Sequence, residues 1–289
     1  MSSWSGKSRG GSIGYLLFHY FIKIGGLWSA YLILKFVALY YVISAPSAVK
    51  SLYFYFRKAH GYSRIKSCFS VYMNFVRLGE TIIDRMAVTM GMRDRFEFKF
   101  VDEPVLRKSV ESEDGCLMIS GHIGNWQVAQ AFLNRFSKNK VNIVMLDVEN
   151  EKIKEHLKNI EGGENVHFIF MNDEMNYLLD IVKAFRGKEV VCLHGDRFLE
   201  GARIEPVKFF GMEANFPLGP FTLGKKFKVP SSFTFVMKTG RTEYSFYATQ
   251  AKVYKDEKEM LEDYAKELEK IVKLHPLQWY NYHKFWLEQ

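Results

Sequence analysis

An almost unbroken run of apolar residues from Ile13 to Ala45 constrains this chain more than any other part of its 289 residues. The run is interrupted only by a few polar or flexible positions: His19, Lys23, Gly25, Gly26 and Lys35. The stretch from Ile24 to Ala45 is long enough to cross a bilayer. Lys35 lies near its middle, however, where a charge costs about 3 kcal/mol on insertion scales. The sequence therefore predicts a single membrane span or a helical pair lying in one leaflet, with a buried helix of a soluble protein as the less favoured alternative.

Beyond this segment, short apolar runs alternate with amphipathic stretches. The predicted strands are Glu97–Val101, Cys116–Ser120, Val141–Leu146, Val166–Phe170 and Val190–His194, with further strands near 205–210, 229–238 and 243–251. The predicted helices cover 47–92, 126–136, 150–160, 174–186 and Asp256–Leu274. Alternation of this kind is typical of an α/β fold with a mixed, largely parallel sheet flanked by helices. We expect two parts: a lead and membrane anchor at 1–45, and a catalytic domain at 46–289.

The charge and the cysteine content limit which partners and ligands this chain is expected to bind. The net charge of +8 and the pI near 9.1 indicate an anionic partner, which is nucleic acid, an anionic bilayer or an acidic carrier protein. Because no basic run with interleaved aromatic residues is present, we expect a membrane and no nucleic acid. The three cysteines lack paired spacing with each other or with histidine, so we predict no metal site and no cofactor.

The segment that carries chemistry is CLMISGHIGNWQVAQAFL, residues 116–133. A buried strand is predicted to end at Ser120, Gly121 permits a sharp turn, and a helix begins near Asn125. His122 then lies at the carboxyl end of a parallel strand, where ligands bind in open α/β sheets. The following helix N-terminus offers free N–H groups to an oxyanion or phosphate. The other interpretation of His122 is a structural residue that caps this helix.

The block GHIGNWQ resembles the GHxGNWE block of the lipid A secondary acyltransferases, within the lysophospholipid acyltransferase superfamily. Three later segments resemble that family in the same order: Gly195-Asp196-Arg197, VKFFGMEANFPLGPFTLG at 207–224, and the closing HPLQWYNYHKFW. The resemblance implies that His122 is a general base, which takes a proton from a lipid hydroxyl as it attacks a thioester. It also implies an acidic partner five positions later that orients the imidazole.

This chain departs from that pattern because Gln127 stands where the family has an acidic residue. A glutamine carbonyl still accepts a hydrogen bond, but it carries no charge to balance an imidazolium. We therefore consider Gln127 part of the predicted catalytic set together with Asp196, our first choice for a replacement carboxylate. Glu80 is a distant second choice.

Six further residues are candidates for substrate binding: Gly124, Asn125, Arg197, Arg203, Lys208 and Gly211. Each also has a structural explanation, since Gly124 and Asn125 suit a turn and a helix cap, and the basic residues suit a solvated surface. The closing aromatic run likewise suits either core packing or an interfacial belt.

The resemblance implies an acyltransferase of lipid A and lipopolysaccharide biosynthesis at the cytoplasmic face of the inner membrane. Its donor is an acyl carrier protein thioester or, second, acyl-CoA, and its acceptor is a hydroxylated lipid such as a lipid A precursor. Two alternatives stay open because of Gln127: an acceptor that is an aminolipid or a lipid-linked pigment, and a non-catalytic lipid-binding relative. A serine hydrolase is disfavoured because the sequence has no GxSxG motif.

Overall fold

A computed structural model describes residues 12–126, 128, 139–146, 165–171, 176–287 and 289. Helices at the N-terminus lead into a sheet of seven strands in the order β1-β9-β8-β2-β5-β3-β4. All neighbouring pairs in this sheet run parallel except β8 and β9. The predicted α/β fold with a mixed, largely parallel sheet is therefore confirmed.

The strands of the main sheet lie close to the predicted ones. They are β1 Glu97–Phe100, β2 Cys116–Ser120, β3 Val141–Leu146, β4 Val166–Met171, β5 Val190–His194, β8 Ser231–Lys238 and β9 Glu243–Ala248. The central strand β2 is buried along most of its length, as expected for a strand with neighbours on both sides and elements above and below.

Two strands form a separate hairpin rather than joining the main sheet. β6 Ile204–Phe209 and β7 Met212–Pro217 pair antiparallel across a tight turn at Phe210 and Gly211, both of which have positive φ. The sequence predicted one strand near 205–210 but not β7. Pro217 and the run of apolar and aromatic residues around it concealed the alternating pattern of a strand.

The helices begin with α1 Ser12–Ser44, α2 Pro46–Phe54 and α3 Arg64–Thr89, the last two being separated by a π-helical turn at Tyr55–Ala59. α4 covers Glu103–Val110, α5 Asn176–Arg186, α6 Gly219–Phe227 and α7 Glu257–Leu274. The single helical region predicted at 47–92 is therefore divided, and the side chain of Ser63 caps the start of α3. Most of the helix predicted at 126–136, and all of that at 150–160, lies outside the described residues.

Helix α1 packs lengthwise against α3. It bends at Gly26, whose φ is +67°, and its second half contacts α3 in antiparallel order. Tyr31 donates to Asp84, Leu34 covers Gly79, and the carbonyl of Lys35 accepts from Tyr72 at 3.3 Å. A Cβ on Gly79 would lie 2.0 Å from a Leu34 methyl, so the two helices approach closely because this position has no side chain.

The opposite face of α1 is apolar and exposed. Its side chains recur at helical spacing and are each more than half exposed: Trp28, Leu32, Phe36, Leu39, Tyr40 and Ile43. By length and composition, Leu16–Ser44 is a candidate membrane span. A soluble surface rarely exposes so large a contiguous apolar area, so this face indicates a lipid or protein partner.

Candidate active site

His122 and Asp196 meet because their strands are neighbours in register. β2 and β5 are parallel, and Ser120 is paired with His194. Each strand is followed by a glycine, and the next residue is His122 on one strand and Asp196 on the other. The two side chains therefore leave the sheet side by side at its carboxyl edge, which is where ligands bind in open α/β sheets.

Asp196 holds His122 through two hydrogen bonds. Its Oδ1 lies 2.7 Å from His122 Nδ1, and its Oδ2 accepts the backbone N–H of His122 at 2.9 Å. The Asp196 side chain is 2% exposed, whereas the imidazole is 26% exposed. An ionised carboxylate only accepts hydrogen bonds, so Nδ1 carries the proton and Nε2 carries the lone pair. The first-choice carboxylate from the sequence thus contacts the predicted base.

The surroundings keep the imidazole neutral and the carboxyl ionised. Burial, followed by the nearby Arg197 guanidinium, lowers the pKa of His122, and this outweighs the opposing influence of Asp196. Burial alone would raise the pKa of Asp196, but the attraction of His122, its hydrogen bond and the neighbouring Arg197 hold that pKa below its usual range. At neutral pH the pair is therefore a neutral base beside a charged acceptor, the protonation state that general-base catalysis needs.

The loop after β2 is held by the C-terminal segment. Gly124 N–H donates to the Gln278 carbonyl at 2.9 Å, and Tyr280 N–H donates to the His122 carbonyl at 2.9 Å. Gly124 has φ +62°, and a Cβ there would lie 1.9 Å from the Val236 carbonyl oxygen, so only glycine fits. The closing aromatic residues, including Trp279 and Trp286, are buried, which favours the core-packing interpretation over an interfacial belt.

A second histidine, His194, lies beside the first. The two rings are 4.4 Å apart between centroids and meet edge to face, and Trp126 packs on His194 at 5.5 Å. Burial, with the nearby His122, lowers the pKa of His194 to about 3, so its ring is neutral at physiological pH. The sequence analysis missed His194. The signal that pointed to it was its position as the last residue of a strand in a HGD sequence.

An apolar cavity of about 60 Å³ adjoins these rings. Among the described residues it is lined by Ser120, Trp126 and His194, together with mostly apolar side chains from β2, β3, β5, β8, β9 and α4. Ligand pockets usually hold about 300 Å³ or more, so this cavity is smaller than an ordinary ligand pocket. Among the described residues, no group of three or more His, Cys, Asp and Glu side chains is arranged to hold a metal.

Comparison with known proteins identifies the family. A profile of the bacterial lipid A biosynthesis acyltransferases matches residues 71–288. The chain belongs to this family. The resemblance predicted from GHIGNWQ and the three later segments is confirmed, and the protein is an acyltransferase.

The crystal structure of the 1-acyl-sn-glycerophosphate acyltransferase of Thermotoga maritima aligns with 86% of this chain and 97% of its own, at 11% sequence identity and a TM-score of 0.40. None of the curated proteins matches the chain significantly.

Asn125 and Arg197, two of the predicted substrate-binding residues, lie at the site of this acyltransferase with their side chains facing protein groups. The Asn125 amide donates to the Thr81 carbonyl at 3.1 Å and to the Tyr244 hydroxyl at 3.2 Å, and Asn125 Oδ1 accepts from the backbone N–H of Val128 at 3.4 Å. Arg197 donates to the Tyr280 carbonyl. Both side chains therefore fix the loop and the segment that covers it.

Three other predicted substrate-binding residues lie on the β6–β7 hairpin or at its edge. Arg203 is exposed and faces Glu257 at 3.6 Å, Lys208 lies opposite Glu213 in the hairpin register, and Gly211 forms the turn. The structure thus brings together His122, Asp196, Gly124, Asn125 and Arg197, and places the other three on or beside the separate hairpin.

The other two candidate partners of His122 are Gln127 and Glu80. Gln127 lies outside the described residues. Glu80, the second-choice carboxylate, faces Arg77 at 2.7 Å and Lys238 at 3.5 Å. Its position on α3 directs it toward the end of β8 rather than toward β5.

Proposed function

We propose that this acyltransferase moves a fatty acyl group from a carrier thioester to a hydroxyl of a lipid acceptor, with His122 as general base. Nε2 takes the hydroxyl proton as the oxygen attacks the thioester carbonyl carbon. The C–S bond then breaks, and the leaving thiolate takes the proton from the imidazolium. Asp196 fixes the productive tautomer and balances the transient cation. No acyl-enzyme forms in this scheme.

The pair of hydrogen bonds between Asp196 and His122 is the observation that carries the proposal. A histidine whose partner is a buried, ionised carboxylate can serve as a base even though the family's acidic position is occupied by Gln127. For this reason we favour catalysis over the alternative of a non-catalytic lipid-binding relative.

We propose an acyl carrier protein as the donor, with acyl-CoA as the second choice. Lys225, Lys226 and Lys228 are exposed at the C-terminal end of α6 and form a small basic cluster. Such a cluster complements an acidic carrier protein through long-range attraction that weakens with salt. For the acceptor we propose a hydroxylated lipid of the lipid A precursor type.

We propose that residues 1–45 anchor domain 46–289 to one leaflet of the inner membrane, at its cytoplasmic face. α1 packs along α3, and α3 carries charged residues in its first turn and in its second half: Arg64, Lys66, Arg77, Glu80, Asp84 and Arg85. If α1 crossed the bilayer, α3 would be drawn into the hydrocarbon with it, at several kcal/mol for each unpaired charge. Docking by the exposed face of α1 leaves these charges outside the hydrocarbon.

Acyl transfer tests the proposal directly. Purified full-length protein is given labelled acyl carrier protein or labelled acyl-CoA together with bacterial membranes, and the lipids are resolved by mass spectrometry. Wild type and the control His167→Ala, which changes an exposed histidine on β4, should label a lipid, whereas His122→Ala should not. Equal labelling by His122→Ala would show that His122 is not the base. Absence of labelling by every variant with both donors would favour the non-catalytic alternative.

A further inference from the structure

A polar depression of about 360 Å³ lies between α3 and the turn that joins β8 to β9. We call it the α3–β8 basin, and it is lined by Arg77, Glu80, Lys238, Thr239, Gly240 and Arg241. Unlike the cavity beside His194, its wall is built mainly of charged and backbone groups. It lies outside the set of residues that acyl transfer uses.

Arg241 lines this basin, and among the described residues its guanidinium has no carboxylate partner. The group stacks on the Trp28 ring, with its central carbon 3.8 Å from the ring centroid. No carboxylate lies within ion-pair distance of Arg241 in the described part of the chain. Stacking occupies the flat faces of a guanidinium and leaves its N–H edges available.

The other charges of the basin are matched among themselves. Glu80 lies between Arg77 at 2.7 Å and Lys238 at 3.5 Å, and the buried Lys238 also pairs with Asp84 at 2.7 Å. Arg77 donates one N–H to Glu80, and its guanidinium has five N–H groups in all. With Arg241 counted, three cations therefore face two carboxylates, and two guanidinium groups line one depression.

The basin lies between the apolar face of α1 and the active-site loop. Trp28, on which Arg241 stacks, belongs to that exposed face. On the other side, the Gln278 side chain pairs with the backbone of Lys238 at 2.9 and 2.8 Å, while the Gln278 backbone carbonyl accepts from Gly124 N–H. A group bound here is consequently near both the leaflet and the loop that carries His122.

We propose that the α3–β8 basin binds the phosphate monoester of a membrane lipid headgroup. Planar guanidinium groups suit phosphate oxygens because they donate paired N–H groups in the matching geometry. A monoester offers three unsubstituted oxygens and up to two negative charges, whereas a phosphodiester offers two oxygens and one charge. The basin should therefore prefer a monoester headgroup over a diester, and it should do so whether or not acyl transfer takes place.

Vesicle binding by the full-length protein tests this inference. Vesicles of phosphatidylcholine contain either phosphatidic acid or phosphatidylglycerol, adjusted to equal surface charge. The variant is Arg241→Gln, and the matched control is Arg186→Gln, which removes the same charge from an exposed position on α5. Wild type and control should favour phosphatidic acid, and Arg241→Gln should lose about tenfold in affinity for those vesicles alone, as expected for one charge-assisted contact.

Three results would overturn the proposal. Arg241→Gln and Arg186→Gln would behave alike if the basin were not a site. An equal loss on both kinds of vesicle would show general charge attraction. Arg241-dependent stabilisation by inorganic phosphate, without a preference for phosphatidic acid, would assign the basin to a free anion. Repeating the binding with His122→Ala protein, which should be unchanged, separates this proposal from the one on acyl transfer.

Discussion

Replacing Asp196 with Asn changes one acceptor oxygen into an NH₂ group at the centre of the candidate site. In the wild type, both carboxylate oxygens accept, Oδ1 from His122 Nδ1 and Oδ2 from the His122 backbone N–H. The backbone N–H can only donate, so the single oxygen of Asn must face it. The NH₂ group then faces Nδ1, which must become an acceptor. The proton moves to Nε2, and the ring loses the lone pair that would receive the substrate proton.

The change of tautomer sets the size of the loss in turnover. The comparable Asp-to-Asn change in the Ser-His-Asp triad lowers turnover by about 10⁴ because it imposes the wrong tautomer. We expect a fall of similar order in the turnover of Asp196→Asn. The free energy of unfolding should fall by only about 2 kcal/mol, the contribution of a charge-assisted hydrogen bond, so the variant should remain folded.

The assay is the initial rate of acyl transfer across pH. The wild-type rate should rise with pH through the pKa of His122, which is below its ordinary 6.5, and be level at neutral pH. Asp196→Asn should stay low at every pH, because the tautomer rather than protonation limits it. The control Asp180→Asn, an exposed position on α5, should resemble wild type. A loss of less than tenfold in folded Asp196→Asn, or a loss recovered at high pH, would refute the tautomer argument.

Three further outcomes are expected. Phe36→Asp, on the exposed face of α1, should reduce binding to vesicles while leaving the unfolding temperature nearly unchanged, as measured by flotation and calorimetry. Lys238→Met should lower the free energy of urea unfolding by about 3–5 kcal/mol, because it leaves the buried Asp84 without its ion-pair partner. The double variant Lys238→Met/Asp84→Leu should recover most of that loss. The folded protein should also lose stability as pH falls from about 7 to 4. Burial lowers the pKa of His194 to about 3 and that of His60 to about 4, whereas both titrate near 6.5 when unfolded. The unfolded state therefore binds more protons in this window, at about 1 kcal/mol per pH unit for each histidine, and urea midpoints that stay constant from pH 7 to 4 would contradict this.

Local pattern predicted the main sheet and one half of the site. The strands Cys116–Ser120 and Val190–His194 were correct to the residue, because each is a short apolar run that ends at a glycine. That knowledge placed His122 and Asp196 at the carboxyl ends of strands. The two side chains meet only because the two strands are neighbours in register. Strand order decides whether they are neighbours, and local sequence does not contain that order.

Other features depended on packing between distant segments. The role of Gln278 required knowing that the chain end returns to the loop at Gly124. His194 was overlooked because its local signal, a histidine that ends a strand in HGD, does not show which residues lie beside it. Strand β7 was not predicted because Pro217 and the apolar and aromatic residues around it conceal the alternating pattern of a strand.

The contacts of α1 extend toward the loop that carries His122. Tyr31 of α1 donates to Asp84, which also accepts from Tyr244, and the Tyr244 hydroxyl accepts from Asn125 beside the active-site loop. Buried polar groups of this kind contribute little net stability compared with apolar packing, and they are retained where they specify one arrangement. Removal of α1 would leave Asp84 with one fewer donor and would expose the apolar side of α3 around Gly79. The position of α1 and the position of the loop that carries His122 are therefore set by one continuous set of hydrogen bonds.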